Sequence, residues 1–445
     1  MKDSTTSHPQ WTSRLGFILT SAGAAVGFGN LQRFPQMVSE HGGGAFLLLY
    51  LACVLAFGLP LMLAEFALGR AGRADPITSF AAVAPRHKRW RFAGALGVLT
   101  AFCILSYYSV ICTWTIVFTK EFVTGNPTTL EQIAADPTGT FPYLVIFYFI
   151  SSYIVFRGLN RGLEKFSTIT MPILVIIQLI LVVRVLLLPN SLAGLSYYLR
   201  PDFSKLTSES WLYALSQAFF SLCIGEAVLI TYGGYTKKDR NLPQSAFYIS
   251  LFDTAVAFLS GLIIFPALFA TGQQLRQGTG LVYNTIPAIL RELPLGAFFQ
   301  ASFFAILAIA GLTTCIALLQ TASHTLRKVM HWNRTPCVFL VGFLSFFLSI
   351  PSLYAKGGSP WLSSVELCGA RGFYDVMDFV WGGLGMVITG LLTTLFVGWV
   401  WGADNAVREL SRSSPLFVKI SPLWRFHIKW SAPVMIALIL VSIFS

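Results

Sequence analysis

Long apolar runs recur from one end of the chain to the other, and each is close to the ~20 residues that a helix needs to cross a bilayer. Hydrophobic residues make up 55% of the 445 residues, and charged residues only 11%. A soluble protein of this length normally carries about a quarter charged residues. The sequence therefore predicts an all-α polytopic membrane protein.

The apolar runs divide into eleven predicted transmembrane helices. Their approximate bounds are 14–37, 43–70, 92–120, 141–157, 166–188, 211–235, 244–271, 298–328, 335–352, 375–401 and 426–444. A shorter amphipathic segment, 284–294, predicts a re-entrant or surface helix between the seventh and eighth spans. No soluble domain or long linker separates the spans, so residues 1–445 are interpreted as a single transmembrane domain.

The net charge of +12 comes from short basic clusters between the apolar runs. Clusters such as 86–91 and 237–240 follow even-numbered spans, whereas acidic residues lie in the opposite loops. The positive-inside rule predicts a cytoplasmic N-terminus and, after eleven spans, an external C-terminus. The bilayer, and not nucleic acid, is the partner that this pattern indicates.

The histidines and cysteines form no pattern that is typical of an enzyme. The six histidines are scattered, and none of the seven cysteines belongs to a CxxC motif. An enzyme would need a nucleophile beside a base, or a cluster of metal ligands. We therefore predict no catalytic residues and interpret the cysteines as core thiols.

Two of the predicted spans contain residues that weaken a helix. Span one carries three glycines within 23–29, followed by Asn30 and Arg33, and span six carries Gly225 and Glu226 near its centre. These spans are the first of two consecutive sets of five, about 11–188 and 211–401, with 426–444 as an extra helix. Paired interruptions at corresponding positions point to a transporter binding site. Because five is odd, the second set would be inverted relative to the first.

A helix interruption frees backbone carbonyls and amides that would be costly in lipid unless something binds them. Carbonyl oxygens suit a hard cation such as Na⁺, and the amides at a helix N-terminus suit a carboxylate. The first interruption thus predicts a cation and an anionic group bound side by side. Close helix packing is the alternative use of such glycines.

Three long motifs resemble the neurotransmitter:sodium symporter family, in its bacterial amino-acid branch of leucine-transporter-like proteins. They are 11-WTSRLGFILTSAGAAVGFGNLQRFP-35, 41-HGGGAFLLLY-50 and 58-GLPLMLAEFALGR-70, with shorter matches at 107-YY-108, 217-QAFFSL-222, 310-AGLTT-314 and 378-DF-379. The resemblance covers nearly the whole chain. It implies two inverted five-helix repeats, helices 1 and 6 broken in mid-membrane, and sodium-driven amino-acid uptake by alternating access across the plasma (inner) membrane.

The resemblance also implies two sodium sites. One would use the backbone carbonyls of Gly23, Val26 and Ala310 and the hydroxyls of Thr313 and Thr314. The other would use the carbonyl of Ala25, the side chains of Asn30, Ser221 and Asp253, and the substrate carboxylate. Ligation mainly by uncharged oxygens favours a monovalent over a divalent ion.

The implied substrate site lies between the two interruptions. The substrate carboxylate would bind the amides near Phe28 and Gly29 and the Tyr108 hydroxyl, and the amine would face the carbonyls of Ala25 and Phe220. Ser221 completes this set beside the sodium. The pocket for the substrate side chain would be formed by Ile104, Tyr108, Phe220, Cys223, Glu226, Thr314 and Leu318.

Two gates are implied by the same resemblance. Arg33 and Asp378 would form the external gate above Phe220, and Trp11 and Tyr235 would belong to the internal gate. The usual internal salt bridge cannot form, because His8 replaces its basic residue and Arg327 and Lys328 lie where its acid is expected. Closure by Trp11 and Tyr235, or by Lys2 with an unidentified acid, stays open.

Three departures from the family pattern bear on specificity. Asp253 replaces a common Asn, and Ala257 replaces the Ser that helps bind chloride in animal members, which predicts chloride independence. A protonated Asp253 that only donates a hydrogen bond is the alternative. Gly27 replaces the Asp of monoamine carriers, which favours an α-amino acid over a biogenic amine.

Glu226 is the departure with the most interpretations. It would bind a cationic or polar substrate, carry a proton, or stay neutral and hydrogen-bond to the backbone of the interruption. A non-transporting, transporter-like sensor is the competing function for the whole chain. Eleven spans, where many relatives have twelve, favour a monomer or weak dimer.

Overall fold

The computed structural model describes residues 9–126, 128–272, 282–283, 286–291 and 295–443. The described chain is almost entirely helical. Its α-helices are α1 Arg14–Ala25, α2 Phe34–Glu40, α3 Gly44–Cys53, α4 Leu59–Gly72, α5 Pro76–Val83, α6 Arg91–Thr124, α7 Leu130–Ala135, α8 Pro137–Phe156, α9 Lys165–Leu186, α10 Ser191–Leu199, α11 Ser208–Ser221, α12 Val228–Gly234, α13 Leu242–Ala270, α14 Ile286–Arg291, α15 Gly296–Met330, α16 Arg334–Tyr354, α17 Pro360–Ser364, α18 Phe373–Met377, α19 Met386–Leu395, α20 Ala403–Ser411, α21 Pro415–Phe426 and α22 Ala432–Ser442.

Short helical turns of other types join several of these helices. The π-helical turns are Gly29–Arg33, Val54–Gly58, Leu159–Glu164, Asp378–Gly385, Phe396–Val400 and His427–Ser431, and the 3₁₀ turns are Pro85–Trp90 and Phe203–Lys205. Two short strands, β1 Glu366–Leu367 and β2 Ala370–Arg371, pair antiparallel. Because the π turns do not interrupt helical bonding, they extend neighbouring α-helices into longer rods.

Within the described residues, nine continuous helices are long and apolar enough to cross a membrane. They are Gly44–Gly72, Pro85–Thr124, Pro137–Phe156, Leu159–Leu186, Leu242–Ala270, Gly296–Met330, Arg334–Tyr354, Phe373–Val400 and Pro415–Ser442. The two predicted spans without such a continuous helix are 14–37 and 211–235. These are the two spans in which the sequence predicts an interruption.

Some predicted boundaries differ from those in the structure. The last long helix begins at Pro415 rather than near 426, and α20 forms in the preceding predicted loop. Both segments carry polar residues on one face, so an apolar run alone does not reveal them. The predicted helix at 284–294 is present as α14, Ile286–Arg291. Residues 284–285 and 292–294 lie outside the described part of the chain.

The interrupted helices lie in the centre of the helical bundle. α1 packs against α9, α13 and α15, and α12 packs against α4. Ten of the twelve residues of α1 are buried, from Gly16 to Ala25. Burial on all sides of a helix indicates a position among other helices rather than at the lipid surface.

A buried ion pair joins the end of α4 to α20. The fully buried Arg70 places its Nε 2.7 Å from Glu409 Oε1 and its Nη1 2.7 Å from the carbonyl of Arg240. Removing one charge of a buried pair leaves the other poorly compensated.

Glu409→Gln should therefore lower the free energy of unfolding by about 1–3 kcal/mol. Asp375→Asn is the matched control. Asp375 Oδ2 lies 2.6 Å from Lys356 Nζ, but both side chains are about one-third exposed. An exposed pair contributes about 1 kcal/mol or less. Thermal denaturation of the purified protein compares the two variants, and equal losses of stability would contradict this account of the Arg70 pair.

Candidate substrate and ion site

The first interruption follows α1. Helical bonding ends at Ala25, and Val26 is extended with φ −66° and ψ 111°. The Gly27 N–H donates to Asn30 Oδ1 at 3.1 Å, and the Phe28 N–H donates to the Tyr108 hydroxyl oxygen at 2.9 Å. Side chains therefore satisfy two of the amides that the interruption frees.

The second interruption lies between α11 and α12. Cys223, Gly225 and Ala227 all have positive φ, at 52°, 88° and 58°. At Gly225 a Cβ atom would lie 2.1 Å from the Met386 carbonyl oxygen, so only glycine fits there. The Gly225 N–H donates to Glu65 Oε1 at 2.9 Å.

The two interruptions are joined directly. The Cys223 Sγ lies 3.1 Å from the Ala24 carbonyl oxygen, and Gln217 Nε2 donates to the Gly29 carbonyl at 2.8 Å. Carbonyl groups of the first interruption thus lie against side chains of the second. Sequence reasoning missed Gln217, although its motif was recognised, because no pattern shows which backbone group a side chain contacts.

A cluster of three buried side chains lies beside the interruptions. Asn30 Nδ2 donates to Ser221 Oγ at 3.0 Å and to Asp253 Oδ1 at 2.8 Å. The Ser221 hydroxyl donates to Asp253 Oδ2 at 2.7 Å. Among the described residues no Lys, Arg or His nitrogen lies within 4.0 Å of the Asp253 carboxylate. A buried carboxylate among oxygen-bearing groups fits a small cation such as Na⁺.

Several members of the other predicted set of sodium ligands, at the end of α1 and on α15, lie close to one another. Thr314 Oγ1 lies 3.3 Å from the Val26 and Ala310 carbonyl oxygens, and Thr313 Oγ1 lies 2.8 Å from the latter. Thr314 also lies 3.1 Å from the carbonyl of Ala24, which the sequence did not predict. These contacts join α15 to the end of α1. Gly23 lies in the last turn of α1, where a Cβ would face Met171 Sδ at 3.3 Å.

Two residues predicted to bind the substrate, Phe28 and Tyr108, lie in contact at the first interruption. The Phe28 and Tyr108 rings meet edge to face at 5.3 Å, and a Cβ at Gly27 would lie 2.4 Å from the Tyr108 hydroxyl oxygen. Ile104 and Leu318 are buried on α6 and α15. The structure thus brings Phe28 and Tyr108 together, whereas the roles of all these residues in binding stay predictions.

The predicted external gate is only partly assembled. The Arg33 guanidinium lies over the Phe220 ring at 4.7 Å, and its Nη2 donates to Ser216 Oγ at 3.4 Å. The Phe220 ring in turn covers Gly29, at 3.0 Å from where a Cβ would be. No nitrogen of Arg33 lies within 4.0 Å of an oxygen of Asp378, although the structure describes both residues. Arg33 and Asp378 are therefore not in direct ion-pair contact.

The residues predicted for the internal gate, Trp11 and Tyr235, are in direct contact. Trp11 donates its backbone N–H to the Tyr235 carbonyl at 3.3 Å and its Nε1–H to the Tyr232 carbonyl at 3.1 Å. Gln320 Nε2 donates to the Tyr235 hydroxyl at 2.8 Å, and Arg334 donates to Gln320 Oε1 at 3.0 Å. Sequence reasoning missed Gln320 and Arg334. The candidate residues Lys2 and His8 lie outside the described residues.

A buried acid, Glu164, binds the N-terminal end of α1 and was also missed. Its carboxylate accepts the Thr12 N–H at 3.1 Å, the Ser13 N–H at 3.2 Å and bonds from both hydroxyls. An acid at a helix N-terminus satisfies free amides and complements the helix dipole. Glu164 thus holds the N-terminal end of α1 to the beginning of α9. We call these bonds the Glu164 latch, because they join two helices as the missing internal salt bridge would have done.

Glu164→Ala should release this end of α1. Two amides and two hydroxyls would lose their acceptor, at a cost of about 1–3 kcal/mol in local stability. Hydrogen exchange of the Thr12 and Ser13 amides should then accelerate at least about tenfold. Glu121→Ala, at an exposed position, is the control. Unchanged exchange at Thr12 and Ser13 would contradict the latch.

The chain matches known proteins over nearly its whole length. A model of the sodium:neurotransmitter symporter family matches residues 8–130 and 138–445. An uncharacterized sodium-dependent transporter of Haemophilus influenzae is 34% identical, with 97% of each chain covered. Uncharacterized sodium-dependent transporter YhdH of Bacillus subtilis is 32% identical over 98% of this chain and 97% of its own.

More distant and structural relatives extend the comparison. The human sodium- and chloride-dependent creatine transporter 1 is 25% identical over 90% of this chain and 72% of its own. The crystal structure of MhsT in complex with L-phenylalanine matches with a TM-score of 0.88 and 34% identity, over 98% of this chain and 100% of that one. The family match agrees with the long apolar helices of the described chain. The chain belongs to the sodium:neurotransmitter symporter family and is a multi-pass, sodium-dependent membrane transporter, not an enzyme.

Proposed function

We propose that this transporter couples a sodium gradient to the uptake of an α-amino acid by alternating access. One observation carries the proposal: the buried Asp253 carboxylate bonds to Asn30 and Ser221 beside two interrupted helices. A cation and a carboxylate bound side by side would satisfy this arrangement. The L-phenylalanine in the MhsT structure supports an amino acid as the class of substrate.

Two sodium ions are proposed, each with its own oxygen ligands. The first would bind the carbonyls of Gly23, Val26 and Ala310 and the hydroxyls of Thr313 and Thr314. The second would bind the Ala25 carbonyl and the side chains of Asn30, Ser221 and Asp253, with the substrate carboxylate as its last ligand. A shared carboxylate ligand couples sodium affinity to substrate affinity, because each bound species improves the other's site.

The substrate carboxylate would bind at the start of the helix that follows Phe28. The Tyr108 hydroxyl already accepts the Phe28 N–H, so its own proton can be donated to that carboxylate. The amine would face the carbonyls of Ala25 and Phe220. The remaining pocket residues, which would surround the substrate side chain, are Ile104, Cys223, Glu226, Thr314 and Leu318.

Transport is proposed to be independent of chloride. Asp253 would supply, as a fixed carboxylate, the negative charge that chloride supplies elsewhere in the family. Ala257, a few residues further along α13, has no hydroxyl to offer to an anion. The human creatine relative, whose name records chloride dependence, is only 25% identical to this chain.

The gates support an alternating-access cycle. In this cycle the contacts of Trp11, Tyr235 and Glu164 would hold one end of the site closed, while Arg33 and Asp378 would form the gate at the other end. Substrate binding beneath Phe220 would bring Arg33 and Asp378 together, and release of the Trp11 contacts would then open the opposite end. The cycle thus needs one gate to close before the other opens.

The membrane arrangement belongs to the same proposal. The chain would form one domain of two inverted five-helix repeats, about 11–188 and 211–401, with an eleventh helix at about 426–444. By the positive-inside rule, the N-terminus would lie in the cytoplasm and the C-terminus outside the plasma (inner) membrane. A monomer or weak dimer would suffice, because all proposed ligands come from one chain.

Thermal stabilisation tests the proposed substrate class. The purified protein is heated with each of the common L-amino acids and several amines, in sodium chloride, sodium gluconate and potassium chloride. A ligand that binds only the folded state raises the melting temperature. At least one α-amino acid should stabilise the protein in both sodium salts but not in potassium. The absence of stabilisation by every α-amino acid in sodium would refute the proposal.

A further inference from the structure

Two buried carboxylates meet at the second interruption. Glu65 on α4 is 2% exposed, and Glu226, in the non-helical segment between α11 and α12, is 4% exposed. Glu65 Oε1 accepts the Gly225 N–H at 2.9 Å, and the two carboxyl groups lie within electrostatic range of each other. The chain thus places two acids in one low-dielectric region, where like charges repel strongly.

Neither acid has a cationic partner in the described part of the protein. No Lys, Arg or His nitrogen lies within 4.0 Å of either carboxylate there. In addition, Oε2 of each acid is buried without a hydrogen-bond partner among the described protein atoms. A buried charge without a partner costs several kcal/mol, and buried polar atoms are nearly always bonded. A group that the protein does not supply would therefore complete this region.

The two acids differ in their surroundings. Glu65 accepts a bond from the backbone amide of Gly225, whereas the Glu226 side chain makes no hydrogen bond to the backbone among the described residues. Glu226 interacts instead with the thiol of Cys223, which lies 3.1 Å from the Ala24 carbonyl. Its carboxylate is also within electrostatic range of Tyr107 on α6. Glu226 therefore lies among α4, α6 and the first interruption, at the edge of the proposed substrate pocket.

These contacts weigh against a neutral Glu226 that merely satisfies the backbone of the interruption. The Gly225 amide, which would be the natural donor for such a role, already bonds to Glu65. The free oxygen of Glu226 would accept a donor from outside the protein. A cationic group is the strongest such donor, because a charge-assisted bond is roughly twice as strong as a neutral one.

We propose that the transported amino acid has a cationic side chain, whose ammonium or guanidinium group binds Glu226 while Glu65 adds a second negative charge behind it. This inference rests on the proposed function, because the α-carboxylate and α-amine must bind at the first interruption for the side chain to reach Glu226. The net charge of the two acids then favours a substrate that brings a positive charge into the site.

A series of paired ligands tests the inference. L-2,4-diaminobutyrate, L-ornithine and L-lysine are each compared with the neutral L-amino acid of closest length, such as L-norvaline or L-norleucine, by thermal stabilisation in sodium gluconate. At least one cationic member should half-saturate the wild-type protein at a concentration about tenfold or more below its neutral counterpart. A tenfold ratio corresponds to about 1.4 kcal/mol of differential binding.

Two variants locate the charge that is recognised. Glu226→Gln, which keeps the side-chain volume, should reduce the cationic-to-neutral preference by about tenfold or more, because the ion pair is lost. Glu65→Gln keeps an acceptor for the Gly225 amide and removes only the more distant charge, so its reduction should be smaller. A Glu226→Gln protein that keeps the wild-type preference would overturn the inference.

The comparison of cationic with neutral ligands on the wild-type protein tests the inference even if a variant fails to fold. Binding of neutral amino acids in preference to every cationic partner would overturn this inference and leave the proposed function intact. Failure of all α-amino acids to bind in sodium would overturn both. Neutral amino acids bind in the first outcome and do not bind in the second. Their binding therefore tells a wrong side-chain assignment from a wrong amino-acid site.

Discussion

Asp253→Ala should remove saturable sodium binding at the second of the two proposed sites, at concentrations that saturate the wild-type protein. The carboxylate lies 2.8 Å from Asn30 Nδ2 and 2.7 Å from Ser221 Oγ, so its loss removes both a ligand and the group that orients two others. Losing one member of a buried charge pair costs about 2–5 kcal/mol, which is roughly a 30-fold or greater loss of affinity. Sodium-dependent melting temperature, titrated against choline at constant ionic strength, measures this loss.

Asp253→Asn is the control that separates charge from shape. The amide keeps an oxygen for the ion and a partner for Ser221, but it removes the fixed negative charge. Its sodium affinity should fall between those of the wild type and Asp253→Ala. A wild-type protein that needs chloride for sodium binding would show that Asp253 does not replace the anion.

Gly27→Ala should remove both substrate and sodium binding, although it adds only one methyl group. Its Cβ would lie 2.4 Å from the Tyr108 hydroxyl oxygen and 3.0 Å from Thr314 Oγ1. Both atoms belong to the proposed ligand sets, so relief of the clash must displace one of them. Displaced ligands in a preorganised site cost orders of magnitude in activity. Sodium-driven uptake of a radiolabelled L-amino acid mixture into proteoliposomes should fall about 100-fold or more.

A double variant separates the clash from other effects of the substitution. Tyr108→Phe removes the atom with which the new methyl group collides, at the cost of the bond to the Phe28 amide. Residues in contact are not additive, so Gly27→Ala with Tyr108→Phe should be no worse than Tyr108→Phe alone. If the losses of uptake caused by Gly27→Ala and by Tyr108→Phe multiply in the double variant, the clash with the Tyr108 hydroxyl is not the cause of the Gly27→Ala effect.

The two interruptions could be located from the sequence because helix-weakening residues have a local signature. Glycines within 23–29 and the segment around Gly225 predicted where continuous helices fail, and α1 and α11 end at Ala25 and Ser221. Asn30, Ser221 and Asp253 were grouped through family motifs, and the structure places them in mutual hydrogen-bond contact. Whether they bind sodium stays a prediction.

Other residues of the site were not predicted, because the sequence does not show which faces of distant helices are in contact. Glu164 lies in a polar segment that looks like an ordinary loop, yet it accepts bonds from Thr12 and Ser13, about 150 residues away. Gln320 and Arg334 have no distinctive motif, and their importance at Tyr235 depends on three-dimensional packing. We propose that these contacts close the internal gate without its usual salt bridge.

The external gate illustrates a different limit. A motif identifies Arg33 and Asp378 as partners but cannot say whether they are in contact, because a gate changes its distances during the cycle. In the structure Arg33 lies over Phe220 rather than within ion-pair distance of Asp378. The sequence can therefore name candidate residues for such a gate, whereas the distance between them depends on the conformational state of the protein.

The most direct test of sodium-coupled amino-acid transport is flux into proteoliposomes that contain the purified full chain. Uptake of the L-amino acid that stabilises the protein most is measured with an inward sodium gradient, with equal sodium on both sides, and with chloride replaced by gluconate. We predict accumulation above the external concentration only with the sodium gradient, and undiminished uptake in gluconate. Equal uptake with and without the gradient would contradict sodium coupling.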